Sequence, residues 1–207
     1  MRRTRRAILA TTAAVGIGGV AGCLGNGGPP DAPVNGDSDA DVSVTIYEDF
    51  SCHFCQAFKL QVYPELENQY IEPGEIQYEF RDFPVPVKEK WSWEVASAAR
   101  EVFEDEGNDA FWTFASDIYE HLGSYTYDVI EEVADDAGAD GGAVREAAED
   151  EQHRSVIEDN KSHGDSNDVA GTPTVFVDGE QVEFYESDDF VMMALEQTTT
   201  AIENALE

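Results

Sequence analysis

Cys52 and Cys55 stand two residues apart in the run Asp49-Phe50-Ser51-Cys52-His53-Phe54-Cys55. At that spacing both sulfurs fall on a first helical turn, where a small disulfide ring can form and break. The partial positive charge of a helix N-terminus favours the thiolate of Cys52. The chemistry this permits is thiol-disulfide exchange. The rival use of such a pair is metal binding, and a zinc site needs four ligands. The remaining candidates are His53, His121, His153 and His163, with no second cysteine pair and no His-x(3–5)-His. The expectation is no metal and no cofactor beyond a redox-active Cys52–Cys55 disulfide. Asp37, Asp39, Asp41 and Glu48 have the spacing of a calcium loop, but Val42 takes the place of its turn glycine.

The elements that position the pair follow from periodicity. Residues 42–47 alternate and are β-branched, which predicts a strand running into the cysteines. Phe54, Phe58, Val62, Leu66 and Tyr70 repeat every four residues and mark one helix face, with a kink expected at Pro64. Residues 75–83 read as a second strand, ended by Pro84 and Pro86. A helical region follows over about 88–168, broken at Gly107, Gly123 and Gly138. One of its faces carries Phe111, Phe114, Ala115, Ile118 and Leu122, and another Val129, Ile130, Val133, Ala134 and Ala137. Residues 174–177 form a strand, Asp178-Gly179 is a hairpin turn, and 181–185 pair back. Ser187 or Asp188 caps a last helix whose apolar face is Phe190, Val191, Ala194, Leu195, Thr198, Ala201, Ile202 and Leu206.

This order resembles the thioredoxin superfamily, and specifically its DsbA-like branch, which places a helical block between the second strand and the final hairpin. The likeness rests on the Cys52–Cys55 segment, on Phe80-Arg81-Asp82-Phe83-Pro84, on Phe111-Trp112, and on Val169-Ala170-Gly171-Thr172-Pro173-Thr174-Val175-Phe176-Val177-Asp178-Gly179. It spans about residue 42 to the last residue and implies an α/β thioredoxin-like fold with a helical insertion. It further implies that Cys52 is the exposed nucleophile, that Cys55 is buried and resolves the mixed disulfide, and that the Thr172–Pro173 bond is cis and faces the cysteines. Backbone groups of Thr172 would then pair with an extended substrate. A trans proline opening an edge strand is the alternative.

His53 and Phe54 would tune the redox potential. The competing readings are a solvated turn residue for His53 and core packing for Phe54. One departure stands out. Many thioredoxin relatives bury an acid six residues before the first cysteine, and Ile46 occupies that position. Glu48 is expected to be solvated, and Asp49 to help cap the helix.

The first residues read as an address. Thr4-Arg5-Arg6-Ala7-Ile8-Leu9 fits a twin-arginine export signal, and Val20-Ala21-Gly22-Cys23 resembles a lipobox in which Cys23 is lipidated. An ordinary cleaved signal is the alternative. The domain plan is a signal over 1–22, a tether over 23–41 and the thioredoxin-like domain over 42–207. The location implied is the outer face of the cell membrane. The partners implied are exported protein thiols and disulfides, the membrane through the lipid, and a membrane redox partner linked to quinone; the chain is expected to be a monomer.

The chain holds 44 acidic and 12 basic residues. Loss of the four amino-terminal arginines leaves 44 − 8 = 36 net negative charges. Self-repulsion on that scale fits molar salt, where the Debye length is ~3 Å, and the composition resembles proteins of extreme halophiles. A disordered acidic tail conflicts with 11% aromatic residues and periodic apolar faces. Nucleic acid is not expected as a partner, since no basic patch is present. Three functions remain: a disulfide-donating oxidase, a thiol reductase serving cytochrome maturation or peroxide removal, and a redox-silent peptide-binding module.

Overall fold

The structure, a computed structural model, describes residues 30–85, 89–184 and 189–207. The expected signal, Cys23, Pro86, the start of the helical region at Lys88, Tyr185, Ser187 and Asp188 lie outside them.

Five strands form one sheet in the order β1-β3-β2-β4-β5. At its centre β2 (Val42–Glu48) and β3 (Ile76–Asp82) are parallel, from Val42 opposite Ile76 to Glu48 opposite Asp82. β4 (Thr174–Val177) runs antiparallel to β2 and pairs with the short β5 (Glu180–Gln181). Asp178 and Gly179 join those two with φ of +48° and +80°, the paired positive angles that a two-residue hairpin requires. The turn is also fixed from its side, since the Asp178 carboxylate accepts from both the backbone N–H and the hydroxyl of Ser43. The return strand is shorter than the 181–185 expected, and Val182 still donates to the carbonyl of Val175.

The expected tether is corrected here. Residues Val34–Gly36 form β1, an edge strand antiparallel to β3. Pro33 accepts from Phe80 N–H, and the Asn35 amide donates to Tyr63 Oη at 2.6 Å and Glu67 Oε1 at 3.0 Å. Buried guanidinium groups tie down the residues before it, Arg81 to the carbonyl of Pro30 and Arg100 to that of Asp31. The hydrogen-bonding needs of β3 and of these arginines thus recruit residues that carry no apolar period of their own.

Between β2 and β3 the chain winds through α1 (His53–Ala57), a π-helical turn (Phe58–Val62), α2 (Tyr63–Leu66) and a second π-helical turn (Glu67–Ile71). This arrangement explains the four-residue stripe. In a pure α-helix, steps of four residues drift by about 40° each, and the face would smear around the helix. The wider π turns absorb the drift, and Phe58, Val62, Leu66 and Tyr70 all stay buried. Pro64 sits in the first turn of α2, where its missing N–H follows a π turn, so the expected kink takes the form of that widening.

The helical block comprises α3 (Glu89–Glu106), α4 (Asn108–Glu120), α5 (Tyr127–Asp136), α6 (Gly141–Glu149) and α7 (Arg154–Ser166). Thr126 caps α5 through Val129 N–H and Asp140 caps α6 through Ala143 N–H. The predicted faces are the buried ones, with Phe111, Phe114, Ala115 and Ile118 in α4 and Ile130, Val133 and Ala134 in α5. Helix α7 lies close against the sheet at Gly164, where an added Cβ would come within 2.6 Å of Phe83 Cδ2 and 3.0 Å of Tyr47 Cε1. That contact is why the alternation of β2 fails at its end and Tyr47 is buried together with Phe83 and Val169. α8 (Phe190–Ala205) closes the other side. Leu206, expected on its apolar face, is beyond the helix end and 41% exposed. Among the described residues, no helix is long and apolar enough to cross a membrane.

Candidate functional site

The parallel strands β2 and β3 end side by side, and the segment after β2 turns over that edge into α1. Asp49 is fully enclosed there. It is not the cap of α1: Cys52 occupies the cap position and no side chain caps it. Instead the Asp49 carboxylate accepts from Ser51 N–H at 2.7 Å, Val85 N–H at 2.8 Å and the Ser92 hydroxyl at 2.9 Å. Three separate segments are thereby pinned around the turn. The next residue, Phe50, stacks on Tyr119 with 5.1 Å between ring centres, and its carbonyl accepts from Tyr125 Oη at 2.7 Å.

On this base Cys52 is half-buried and Cys55 wholly buried, and both are thiols. The Thr172–Pro173 peptide bond is cis, as expected from the sequence, and Thr172 O accepts from Cys52 Sγ at 3.2 Å. The structure therefore brings Cys52, Cys55, Thr172 and Pro173 together, although 120 residues separate the first from the third. His53 lies exposed beside the pair. Phe54 is half-buried against Phe190, 4.9 Å between ring centres, as core packing requires. Beside His53 opens a groove of about 300 Å³ whose lining includes Ser51, Trp91, Leu122 and Tyr125.

The two sulfurs differ electrostatically. The Cys55 thiol donates to Cys52, and the backbone N–H groups of Cys55 and Phe54 add to it; against the cost of burial they bring Cys52 down to about 6. Cys55 is pushed well above the usual thiol range by burial, by its bond to Cys52, and by the negative charges of Cys52 and Glu48. One sulfur is thus a half-buried thiolate near neutral pH and the other a wholly buried thiol.

Glu48 corrects the expectation of a solvated acid. It is 1% exposed and accepts from Tyr119 Oη at 2.9 Å. Burial raises it to about 7 against the opposing influence of Lys59 and of the Tyr119 bond. A buried acid therefore stands close enough to Cys55 to raise it, four residues before Cys52 rather than six, while Ile46 is apolar core. Lys59, 2% exposed on the first π turn, and Asp82, at the end of β3, are further buried ionisable groups that periodicity did not single out. The signal for Lys59 is its place beside Phe58 on a helix heading for the core. Among the described residues no cluster of three or more His, Cys, Asp or Glu side chains could hold a metal ion.

The comparisons agree with this geometry. The family model described as Thioredoxin matches residues 29–197. A probable disulfide bond formation protein D of Bacillus cereus is 34% identical over 86 residues, which cover 42% of this chain and only 38% of that protein. The disulfide bond formation protein D of Bacillus subtilis is 23% identical over 171 residues, covering 80% of this chain and 76% of the relative. Oxidised BdbD from Bacillus subtilis superposes with a TM-score of 0.75 at 22% identity, over 86% of this chain and 96% of that one. Chlamydia trachomatis DsbA does so with a TM-score of 0.69 at 18% identity, over 84% and 93%. From β2 through the cis-proline strand, the chain belongs to the thioredoxin family and has the DsbA-like fold, with the helical block between β3 and β4.

Proposed function

We propose that this protein is a thiol-disulfide oxidoreductase that donates disulfides to exported proteins. The observation that carries this reading is the asymmetry of its sulfurs, Cys52 drawn down to about 6 at a helix start and Cys55 buried and raised. In the forward direction a client thiolate attacks Cys52 of the disulfide, making a mixed disulfide and expelling Cys55, which takes up a proton. A second client thiolate then attacks the client sulfur of that bond and expels Cys52. The client loses two electrons and forms its disulfide, and the enzyme gains them as a dithiol. A low leaving-group pKa speeds the second expulsion, and a stabilised thiolate favours the reduced enzyme, which makes its disulfide oxidising. The carbonyl of Thr172 beside Cys52 would hold an extended client strand by backbone pairing, and the groove next to His53 would take its apolar side chains. The names of the two Bacillus relatives point the same way.

The test is the equilibrium potential of the Cys52/Cys55 couple against glutathione in molar salt. A value of about −120 to −180 mV is expected. One near about −270 mV would make the protein a reductase.

The sequence before residue 30 supports a place for this chemistry: export by a twin-arginine signal, lipidation at Cys23, and recharging at the membrane by a partner that passes electrons to quinone. The mature protein should then begin at Cys23, carry lipid mass and partition into membranes, and Cys23→Ser should release it. A mature N-terminus elsewhere, without lipid, overturns the anchor.

A further inference from the structure

The arm before β1 has no part in the exchange steps above, yet it is held at one definite end of the sheet. Val34 stands opposite Glu79 and Gly36 opposite Gln77, so the chain before Val34 runs on past Glu79 toward the end of β3. Pro33 O accepts from Phe80 N–H at 3.0 Å, and Val34 N–H donates to Asn108 Oδ1 at 2.7 Å. Arg81 donates to Pro30 O and Arg100 to Asp31 O, and Arg81 also donates to Asn160 Oδ1 of α7 at 2.9 Å. Both guanidinium groups are buried, so each needs these acceptors. Asp82 closes β3 opposite Glu48, four residues before Cys52. The arm therefore leaves the domain at the edge over which Cys52 is mounted. Pro33, level with Phe80, is two strands from β2, on the order of 10 Å.

Helix α8 marks the opposite end. It begins with Phe190 against Phe54, 4.9 Å between ring centres, and ends with Ala201, Asn204 and Ala205 lining one cleft with Val177, Asp178 and Glu180. Val177 pairs with Val44, and Asp178 N–H donates to Ser43 O at 2.8 Å, at the start of β2. Asn204 is thus exposed at the far edge, about 20 Å along the helix from Phe190. Met192 lies in the first turn of α8, at the active-site end. At 66% exposure it is the most exposed large apolar side chain among the described residues.

We propose that this arm orients the anchored protein, so that the edge carrying Cys52 faces the bilayer. The proposal rests on the anchor at Cys23 put forward above. Cys23 precedes Pro30 by 30 − 23 = 7 residues, and a chain of that length spans at most about 25 Å. A domain of this size is roughly 40 Å across. With the far edge on the bilayer, the exit of the arm would stand roughly 40 Å above it, beyond that reach. The poses left have the active-site edge toward the lipid or the domain on its side. Met192 gives the first of these an apolar contact at the interface. Were the tether free as far as residue 41, as composition predicts, its 41 − 23 = 18 residues could span ~65 Å and every pose would be open. β1 and the two arginines remove that freedom. Cys52 thus stays within reach of a partner embedded in the membrane, and the groove beside His53 opens at the same edge.

The experiment reconstitutes the full lipidated chain on phosphatidylcholine vesicles that carry a fluorescent acceptor on some headgroups, in molar potassium chloride. A donor dye sits on Cys52, or on Asn204→Cys in a chain with Cys52→Ser and Cys55→Ser. Transfer to the headgroups should be several-fold greater from Cys52, because its efficiency falls steeply with distance. Inserting about 20 Gly/Ser residues after Gly28 adds about 25 Å of root-mean-square reach and should equalise the two labels. A membrane-spanning helix fused after Glu207, with Cys23→Ser, should reverse the order, since α8 ends at the far edge. Exchange with soluble glutathione should be unchanged by the insertion, which shows an intact site. Equal transfer from both positions in the natural chain, or an order that survives the insertion, overturns the proposal while leaving the exchange activity standing. Absence of lipid mass at Cys23 would instead remove the anchor and the orientation with it, and absence of glutathione exchange would remove the functional reading.

Discussion

Cys52→Ser is expected to abolish dithiol exchange, a fall of at least ~10³-fold to the uncatalysed background, because no other thiol in the described residues can open a client disulfide or accept its attack. Cys55→Ser should behave differently. Cys52 remains half-exposed, still forms mixed disulfides, and has nothing to resolve them, so covalent client adducts should accumulate and appear on non-reducing gels. The same asymmetry should be visible without any client. With a pKa of about 6, Cys52 is about nine-tenths thiolate at pH 7, where an unperturbed thiol is ~1–3% thiolate. Alkylation of the reduced protein should therefore follow a midpoint near pH 6 and modify Cys52 alone, with Cys55 protected by burial until the protein unfolds. The gain in rate over a free thiol will be less than the gain in thiolate, since nucleophilicity falls with pKa. The midpoint is thus the sharper readout. A midpoint above pH 8, or equal labelling of both cysteines, would show that the Cys55 bond and the helix start do not stabilise the thiolate.

The parts of this site that were legible in the sequence are those specified locally. Cys52 and Cys55 announce themselves by spacing, and Thr172-Pro173-Thr174 by the strand and hairpin signals that follow it. The long elements were legible because burial on one face imposes a period. What escaped depends on distant residues. Glu48 is a carboxylate among 44 acids, and nothing beside it says that Tyr119, 71 residues away, will enclose it and donate to it. Lys59 lies next to Phe58 in a stripe whose regular four-residue step already held the clue to π turns, but the step alone does not say which neighbour is carried inward. Asp49 looked like a cap because caps are local, whereas two of the three partners named above are distant, in the loop after β3 and in α3, and the third is Ser51 N–H in the turn itself. β1 was missed because an edge strand of three residues takes its order from β3 rather than from its own composition.

Salt should have the other large effect, on the fold rather than on the chemistry. All 44 acids lie beyond the amino-terminal arginines, and only eight Lys and Arg share that part of the chain. Those cations do little to neutralise the surface. Lys59, Arg81 and Arg100 are buried, the last two beside Glu79 and Glu104, and Arg145 is shared among Asp128, Glu131 and Glu149. Arg154 is divided between Glu151 and Glu158, and Lys90 and Lys161 each face one acid four residues on along their own helix. Exposed pairs of this kind contribute at most about 1 kcal/mol each, and salt weakens them. The acids that face no cation repel one another across the whole surface. At low ionic strength that repulsion acts over tens of ångströms, and at molar salt over ~3 Å. Folding brings the acids closer together than the open chain does, so screening favours the folded state. A relief of about 5 kcal/mol, comparable to the whole stability of many domains, corresponds to a rise in thermal midpoint of ~10–20 °C for a chain of this size. Thermal scans from low to molar potassium chloride should show that rise, steepest below the concentration at which the Debye length falls under the spacing of neighbouring carboxylates. The alkylation midpoint of Cys52 should move much less, because hydrogen bonds at short range set it. A flat thermal profile would mean that the acids are spaced widely enough to ignore one another, and the halophilic reading of the composition would fall while the redox assignment stood.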